Sequence, residues 1–461
     1  MPRLLIIGGS DAGISAALRA RELDPSVEVT VILADSYPNF SICGLPYFLS
    51  GDVPDWRSLA HRSSTELEHT GMELLTEHTA RTIDARAKSV LVSDESGAER
   101  LLGYDKLIIA TGGQSISPPM DGIKLPSVHK LHTMQHAFGV QETISRQGVE
   151  SALIVGAGYI GLEMAEALAA RRLQVTVVEQ LPEVLPTVDV ELGALIRAEL
   201  QANGVEVATG TSIEAIHQER AGLVVRGTQE FKRSVDVVLV VVGVSPDSKL
   251  AAAAGAATGV KGAVRVTRRM ETDLPDVFAA GDCVETHHRI LPESTYLPLG
   301  TTAHKQGRVA GENAVGGGRA FEGSLGTQVV KVFDLAAART GLRDAEATSA
   351  GFDSLTVGSV ASDHKMYYPG AHELTMRITG DRKTGCLLGA QIVGHKNGHV
   401  AKRIDTAAVA LFSKMSVEGL SDQDLSYTPP FGSPWDAIQV AAQDWSRTRD
   451  AMLQGLLHSA P

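Results

Sequence analysis

Residues 151–180 read SALIVGAGYIGLEMAEALAARRLQVTVVEQ: a short apolar run, spaced glycines, an alanine-rich segment and a second β-branched run. The periodicity predicts strand, tight turn, helix, strand. Gly156, Gly158 and Gly161 fill a G-x-G-x-x-G pattern directly after the first strand. The first glycine makes the turn, the second lets a pyrophosphate approach the backbone, and the third lets helix and strand pack closely. The helix N-terminus offers N–H groups and a positive dipole end to phosphate. Glu179 ends the second strand, where a carboxylate accepts from a ribose 2′-hydroxyl and repels a 2′-phosphate. The pattern therefore predicts a nicotinamide dinucleotide site that favours NADH over NADPH.

The same grammar stands near the start of the chain, in RLLIIGGSDAGISAALRARELDPSVEVTVILAD (residues 3–35). Here Gly8 and Gly13 are present, Ser10 holds the middle position, and Asp11 follows it. The acidic residue is displaced, because the strand ends in Leu33 and Asp35 lies two residues beyond. Taken alone, this unit reads as a dinucleotide turn or as a structural glycine turn. Three further strand-like runs end in small residues: YDKLIIATGG (104–113), DVVLVVVGVSPD (236–247) and TDLPDVFAAGDC (272–283). After about residue 322 the glycine grammar stops and an α+β pattern follows. The expected fold is α/β, with two Rossmann-like dinucleotide-binding domains and a C-terminal α+β dimerisation domain. The expected segments are 1–118, 119–245, 246–321 and 322–461. The first and third of these form one FAD-binding domain, and the second is the NAD(P)H-binding domain.

Bulk properties narrow the class. A chain of 461 residues exceeds a single core. The formal net charge of −12 argues against a nucleic-acid partner. No apolar run reaches bilayer length, so no membrane is expected. Three scattered cysteines make no disulfide framework, and the chain is expected to be cytoplasmic. The histidines show no metal-ligand spacing, so no metal is expected. One cysteine is unusual. Cys43 lies in NFSICGLPYFLSGDV (39–53), just after the first nucleotide unit, with no second cysteine near it. An isolated cysteine is most often an inert core residue.

The order of these motifs resembles the FAD-dependent pyridine nucleotide-disulfide oxidoreductases over nearly the whole chain. CGLPY, MYYPGAHE, KRID and YTPPFGSPWD resemble its single-cysteine branch, which holds coenzyme A-disulfide reductases, NADH oxidases and NADH peroxidases. The resemblance implies FAD bound by Gly8, Ser10, Asp11, Gly13, Asp35, Thr111, Gly112, Asp282, Thr302 and Ala303. It implies NADH at Gly156, Gly158, Ile160, Gly161, Glu179 and Gly243, with Tyr159 gating the flavin face and Glu163 close to the flavin ring. Cys43 would be the redox cysteine, which passes electrons from NADH, by way of FAD, to a disulfide or persulfide of a small thiol such as coenzyme A. The alternative is an oxidase or peroxidase that cycles Cys43 through a sulfenic acid. The peroxidases have histidine at the position of Asp11, which makes peroxidase chemistry the less expected. The reductases have serine and asparagine at the positions of Asn39 and Ile42, so the thiol substrate stays open. Arg19 and Arg21 lie where the family contacts coenzyme A phosphates, or else on a solvated helix face. The protein would be a homodimer, with Tyr367 or Tyr368, and Tyr427, beside the partner's Cys43. Cys283 and Cys386 are expected to be core or loop residues. In its Gly/Pro turn, the dipole of a nearby helix and charge transfer to the flavin are expected to favour the Cys43 thiolate.

Overall fold

A computed structural model describes residues 2–220 and 222–455. Two parallel five-stranded sheets carry the nucleotide units. In the first, Arg3–Ile7 lies between Glu28–Ile32 and Lys106–Ile109, and Val277–Ala279 and Met72–Leu75 extend the two sides. In the second, Ser151–Val155 lies between Gln174–Val178 and Val237–Val240, with Glu206–Ala208 and Val128–His129 at the edges. The strands LLII and ALIV are buried on both faces, as parallel strands covered by helices must be.

Strand Val277–Ala279 belongs to the first sheet although the whole of the second sheet precedes it in the chain. The intervening segment leaves and returns through one antiparallel ribbon, Gly113–Ser115 against Val244–Pro246. The helix Gly300–Ala314 then packs along the first glycine helix, Asp11–Leu23. Small residues allow this close approach. A Cβ on Gly307 would meet the Ala12 carbonyl oxygen at 2.2 Å, and one on Gly311 would meet that of Ala16 at 2.2 Å.

The C-terminal unit is a five-stranded antiparallel sheet, with Leu387–His395 and Glu373–Asp381 in its middle. Helices Val400–Phe412 and Ala437–Leu453 bury Ile404, Ala407, Ile438 and Trp445 against it. Ion pairs tie it to helices of the second nucleotide unit: Arg377 to Asp189, the N-cap of Val190–Ala202, at 2.7 Å, and Lys331 to Glu166 in Tyr159–Ala170. No helix among the described residues is long and apolar enough to cross a membrane.

Candidate active site

The two glycine turns have the same geometry. Gly8 (φ +113°) and Gly156 (φ +104°) take backbone conformations that disfavour side chains. A Cβ on Gly13 would sit 1.8 Å from the Gly8 carbonyl oxygen, and one on Gly161 would sit 1.9 Å from that of Gly156. In each unit the third glycine lets the helix enter directly beneath the turn. At the middle position Gly158 faces open space, and Ser10 stands exposed as the N-cap of its helix. Serine is accommodated there because the approach side of the turn is free.

The ends of the second strands differ. The pairings Ile7 to Ile32 and Val155 to Val178 make Leu33 the counterpart of Glu179. Glu179 is buried, and its oxygens accept from the N–H groups of Ala157 (2.8 Å) and Leu181 (2.9 Å). This fixes the carboxylate beside the glycine turn. In the first unit Leu33 fills the corresponding place against Gly9. Asp35 comes to the cleft wall two residues later, where it accepts from Tyr37 N–H, and burial raises its pKa.

One continuous cleft of about 2340 Å³ joins the two turns. Drug-sized pockets run to roughly 1,000 Å³, so this cleft has room for two dinucleotides. It is lined by Gly8, Ser10, Asp11, Asp35, Thr111, Gly112, Asp282, Thr302 and Ala303 on one side. Gly156, Gly158, Tyr159, Ile160, Glu163, Glu179 and Gly243 line the other, and Cys43 also faces the cleft. Gly13 and Gly161 lie under their turns. These paired glycine cradles and the length of the cleft fit FAD and a nicotinamide dinucleotide.

The segment around Cys43 is more ordered than a Gly/Pro loop. Ile42–Gly44 forms a single 3₁₀ turn that leads into the six-residue helix Leu45–Ser50, with Pro46 in its first turn. The cysteine side chain is open to the cleft, while protein packed behind it withholds water. Burial, followed by Glu163, Asp11 and Asp282, pushes the Cys43 thiol up. The protein's own groups therefore oppose the thiolate, leaving the helix dipole and a bound flavin as the influences that would favour it.

Glu163 carries the largest perturbation with a ready proton. Burial raises it to about 7; the Tyr47 hydroxyl, 3.3 Å away, and Lys331 oppose the shift, and Glu166 adds to it. Asp282 is raised to about 6 by burial and by Asp11. Tyr47, four residues after Cys43 in CGLPY, was not singled out from the sequence, although that spacing places it one helical turn further along. The Tyr159 hydroxyl lies 3.3 Å from Thr187 Oγ1, and its ring packs on the apolar core of the second nucleotide unit.

The remaining candidates lie elsewhere. Arg19 pairs with Glu312 at 2.7 Å and with Glu22 at 2.9 Å. Arg21 donates to the carbonyls of Thr70, Pro25 and Val27. Both guanidinium groups are thus engaged in holding the chain together. Cys283 is buried in the core and Cys386 is exposed at a strand end. Tyr367, Tyr368 and Tyr427 do not line the Cys43 cleft of their own chain. They sit on two loops joined by Lys365 N–H to Pro429 O (3.3 Å), with the Tyr367 and Tyr427 hydroxyls within hydrogen-bonding reach.

Two dinucleotide cradles opening on one cysteine-bearing cleft define a nicotinamide-dependent flavoprotein oxidoreductase. The chain belongs to the pyridine nucleotide-disulphide oxidoreductases: that family's model matches residues 2–307, and its dimerisation-domain model matches residues 327–437. It is 33% identical to a Methanocaldococcus jannaschii protein named NADH oxidase, over 96% of this chain and 98% of that one. It is equally 33% identical to the NAD(P)H coenzyme A polysulfide/persulfide reductase of Pyrococcus horikoshii, over 96% and 98%. Among solved structures, the NAD-dependent persulfide reductase from A. fulgidus superposes with a TM-score of 0.94 at 36% identity, covering 98% of this chain and 84% of that one. The protein is an enzyme that uses FAD and NAD(P)H.

Proposed function

We propose that the enzyme uses NADH to reduce a disulfide or persulfide of a small thiol, such as coenzyme A, through Cys43. The observation that carries this reading is the single thiol facing the cleft that joins both nucleotide cradles. Neither other cysteine lines the cleft to serve as its internal partner: Cys283 is enclosed in the core, and Cys386 lies in the C-terminal unit, just before the strand Leu387–His395. The covalent partner must then come from outside the chain. The relatives named for persulfide and coenzyme A chemistry support this choice.

Bound FAD supplies a two-electron carrier between nicotinamide and thiol. Cys43, as thiolate, attacks one sulfur of the substrate; a mixed disulfide forms and the other sulfur leaves as a thiolate. Two electrons from NADH then cleave the mixed disulfide, and each released thiolate takes a proton. Glu163, which burial raises to about 7 and which the Tyr47 hydroxyl contacts at 3.3 Å, is suited to hold a proton on the nicotinamide side of the cleft. Gly156, Gly158 and Gly161 position the NADH pyrophosphate, and Glu179 favours a free ribose 2′-hydroxyl. Tyr159 covers the nicotinamide side of the cleft.

The site is completed in a homodimer. Met366, Tyr367, Phe431 and Trp435 are large apolar residues left exposed on the dimerisation domain. Tyr367 or Tyr368, and Tyr427, would then lie beside the partner's Cys43 and donate to the departing thiolate.

Stopped-flow kinetics test the scheme. Cys43→Ser should abolish disulfide turnover and leave the NADH-driven bleaching of flavin absorbance intact. Full disulfide turnover in that variant would defeat the reading. Tyr427→Phe should lower disulfide turnover with bleaching unchanged, whereas unchanged turnover would make Tyr427 a packing residue. The relative named NADH oxidase supports a second reading, Cys43 cycling through sulfenic acid. NADH consumption that requires oxygen and ignores added disulfide would select it.

A further inference from the structure

On the wall of the FAD side of the cleft, Asp11 meets His61 and His304 in a second cluster. The close packing of the two glycine-lined helices creates it. Asp11 and Ser15 lie one turn apart on the first helix, and His304 lies one turn before Gly307, where the two backbones touch. The Ser15 hydroxyl sits 2.8 Å from His304 Nδ1, which fixes the ring and directs Nε2 towards the cleft. His304 Nε2 is 3.3 Å from Asp11 Oδ1, and the His61 ring stands edge-on, 6.2 Å from that of His304. One ligand atom from each of the three lies within 4.8 Å of the other two.

We infer that Asp11, His61 and His304 form a binding site for a zinc-class divalent cation on the Cys43 side of the cleft. Two imidazoles and a carboxylate are a borderline-soft donor set that suits zinc over magnesium or calcium. Ligands at about 2.0 Å in tetrahedral geometry stand roughly 3.3 Å apart, the spacing found between His304 and Asp11. The serine contact supplies the outer hydrogen bond that orients a metal-ligating histidine. Asp282 also faces this cleft. With three protein ligands, one position stays open to the cleft, where water or a small thiol can bind.

Calorimetric titration of chelator-treated, FAD-loaded enzyme with zinc chloride tests the site without any substrate, so its outcome is independent of the proposed reaction. One ion should bind per chain, and magnesium chloride should give no heat. His304→Ala and His61→Ala should each weaken zinc at least about tenfold. Cys43→Ser should bind zinc as the parent does. His61 is exposed, so its replacement carries little risk to folding, and retention of flavin colour confirms the fold of each variant. Zinc binding that survives the double histidine replacement, that vanishes in Cys43→Ser alone, or that is absent from the parent would overturn the assignment.

Discussion

Glu163→Gln removes the charge of a carboxyl group held at about 7 against an ordinary value of 4.5. The sign follows from proton binding. Below the unfolded value both states hold the proton and the site costs nothing. As pH rises towards and through the folded value, only the folded state retains the proton, and ionising it in place costs stability. A shift of about 2.5 units corresponds to roughly 3 kcal/mol, fully expressed above about pH 7. Glutamine keeps an acceptor for the Tyr47 hydroxyl and removes the penalty. Thermal melts of FAD-loaded parent and variant between about pH 5 and pH 8 should therefore diverge, the variant gaining a few degrees at the alkaline end. The variant should also lose the ionisation near 7 from the pH profile of disulfide turnover. Melting curves that stay parallel across the range would show that Glu163 ionises as an ordinary carboxylate, and its role as a proton holder in the cleft would fall.

The two glycine turns give paired expectations. Gly161→Ala places a methyl 1.9 Å from a backbone oxygen and should abolish NADH-driven bleaching with flavin retained; Gly13→Ala, at 1.8 Å, should instead release flavin, as seen by gel filtration at visible wavelengths. Retention of both cofactors in both variants would contradict the cradle assignment. At Glu179, kcat/KM for NADH should exceed that for NADPH by about ten- to a hundredfold, from one lost hydrogen bond and one like-charge contact. Equal values would remove the ribose role from Glu179.

Much of the fold was legible because its signals are local. The strands SALIV and RLLII, the glycine spacing and the alanine-rich helices lie within about thirty residues of each other in each unit. Cys43 was legible through CGLPY. What could not be read depends on packing between distant segments. Arg19 meets Glu312 across 293 positions, which turned a candidate phosphate ligand into a structural ion pair. The Cys43 thiol is pushed up by burial and by Glu163, Asp11 and Asp282, which come from three separate segments and so leave no local mark in the sequence. His61 and His304 carry no shared spacing, and only the contact between two helices unites the second of them with Asp11.

The ribbon Gly113–Ser115 against Val244–Pro246 has a mechanical meaning. Both crossings between the nucleotide units run through one hydrogen-bonded pair of strands. The laced pair brings both crossings to one side of the inserted unit, and on another side Arg171 Nε donates to the Leu49 carbonyl (2.7 Å) and the Tyr47 hydroxyl to Glu163 (3.3 Å), so the helix that starts at Tyr159 is pinned to the helix that follows Cys43.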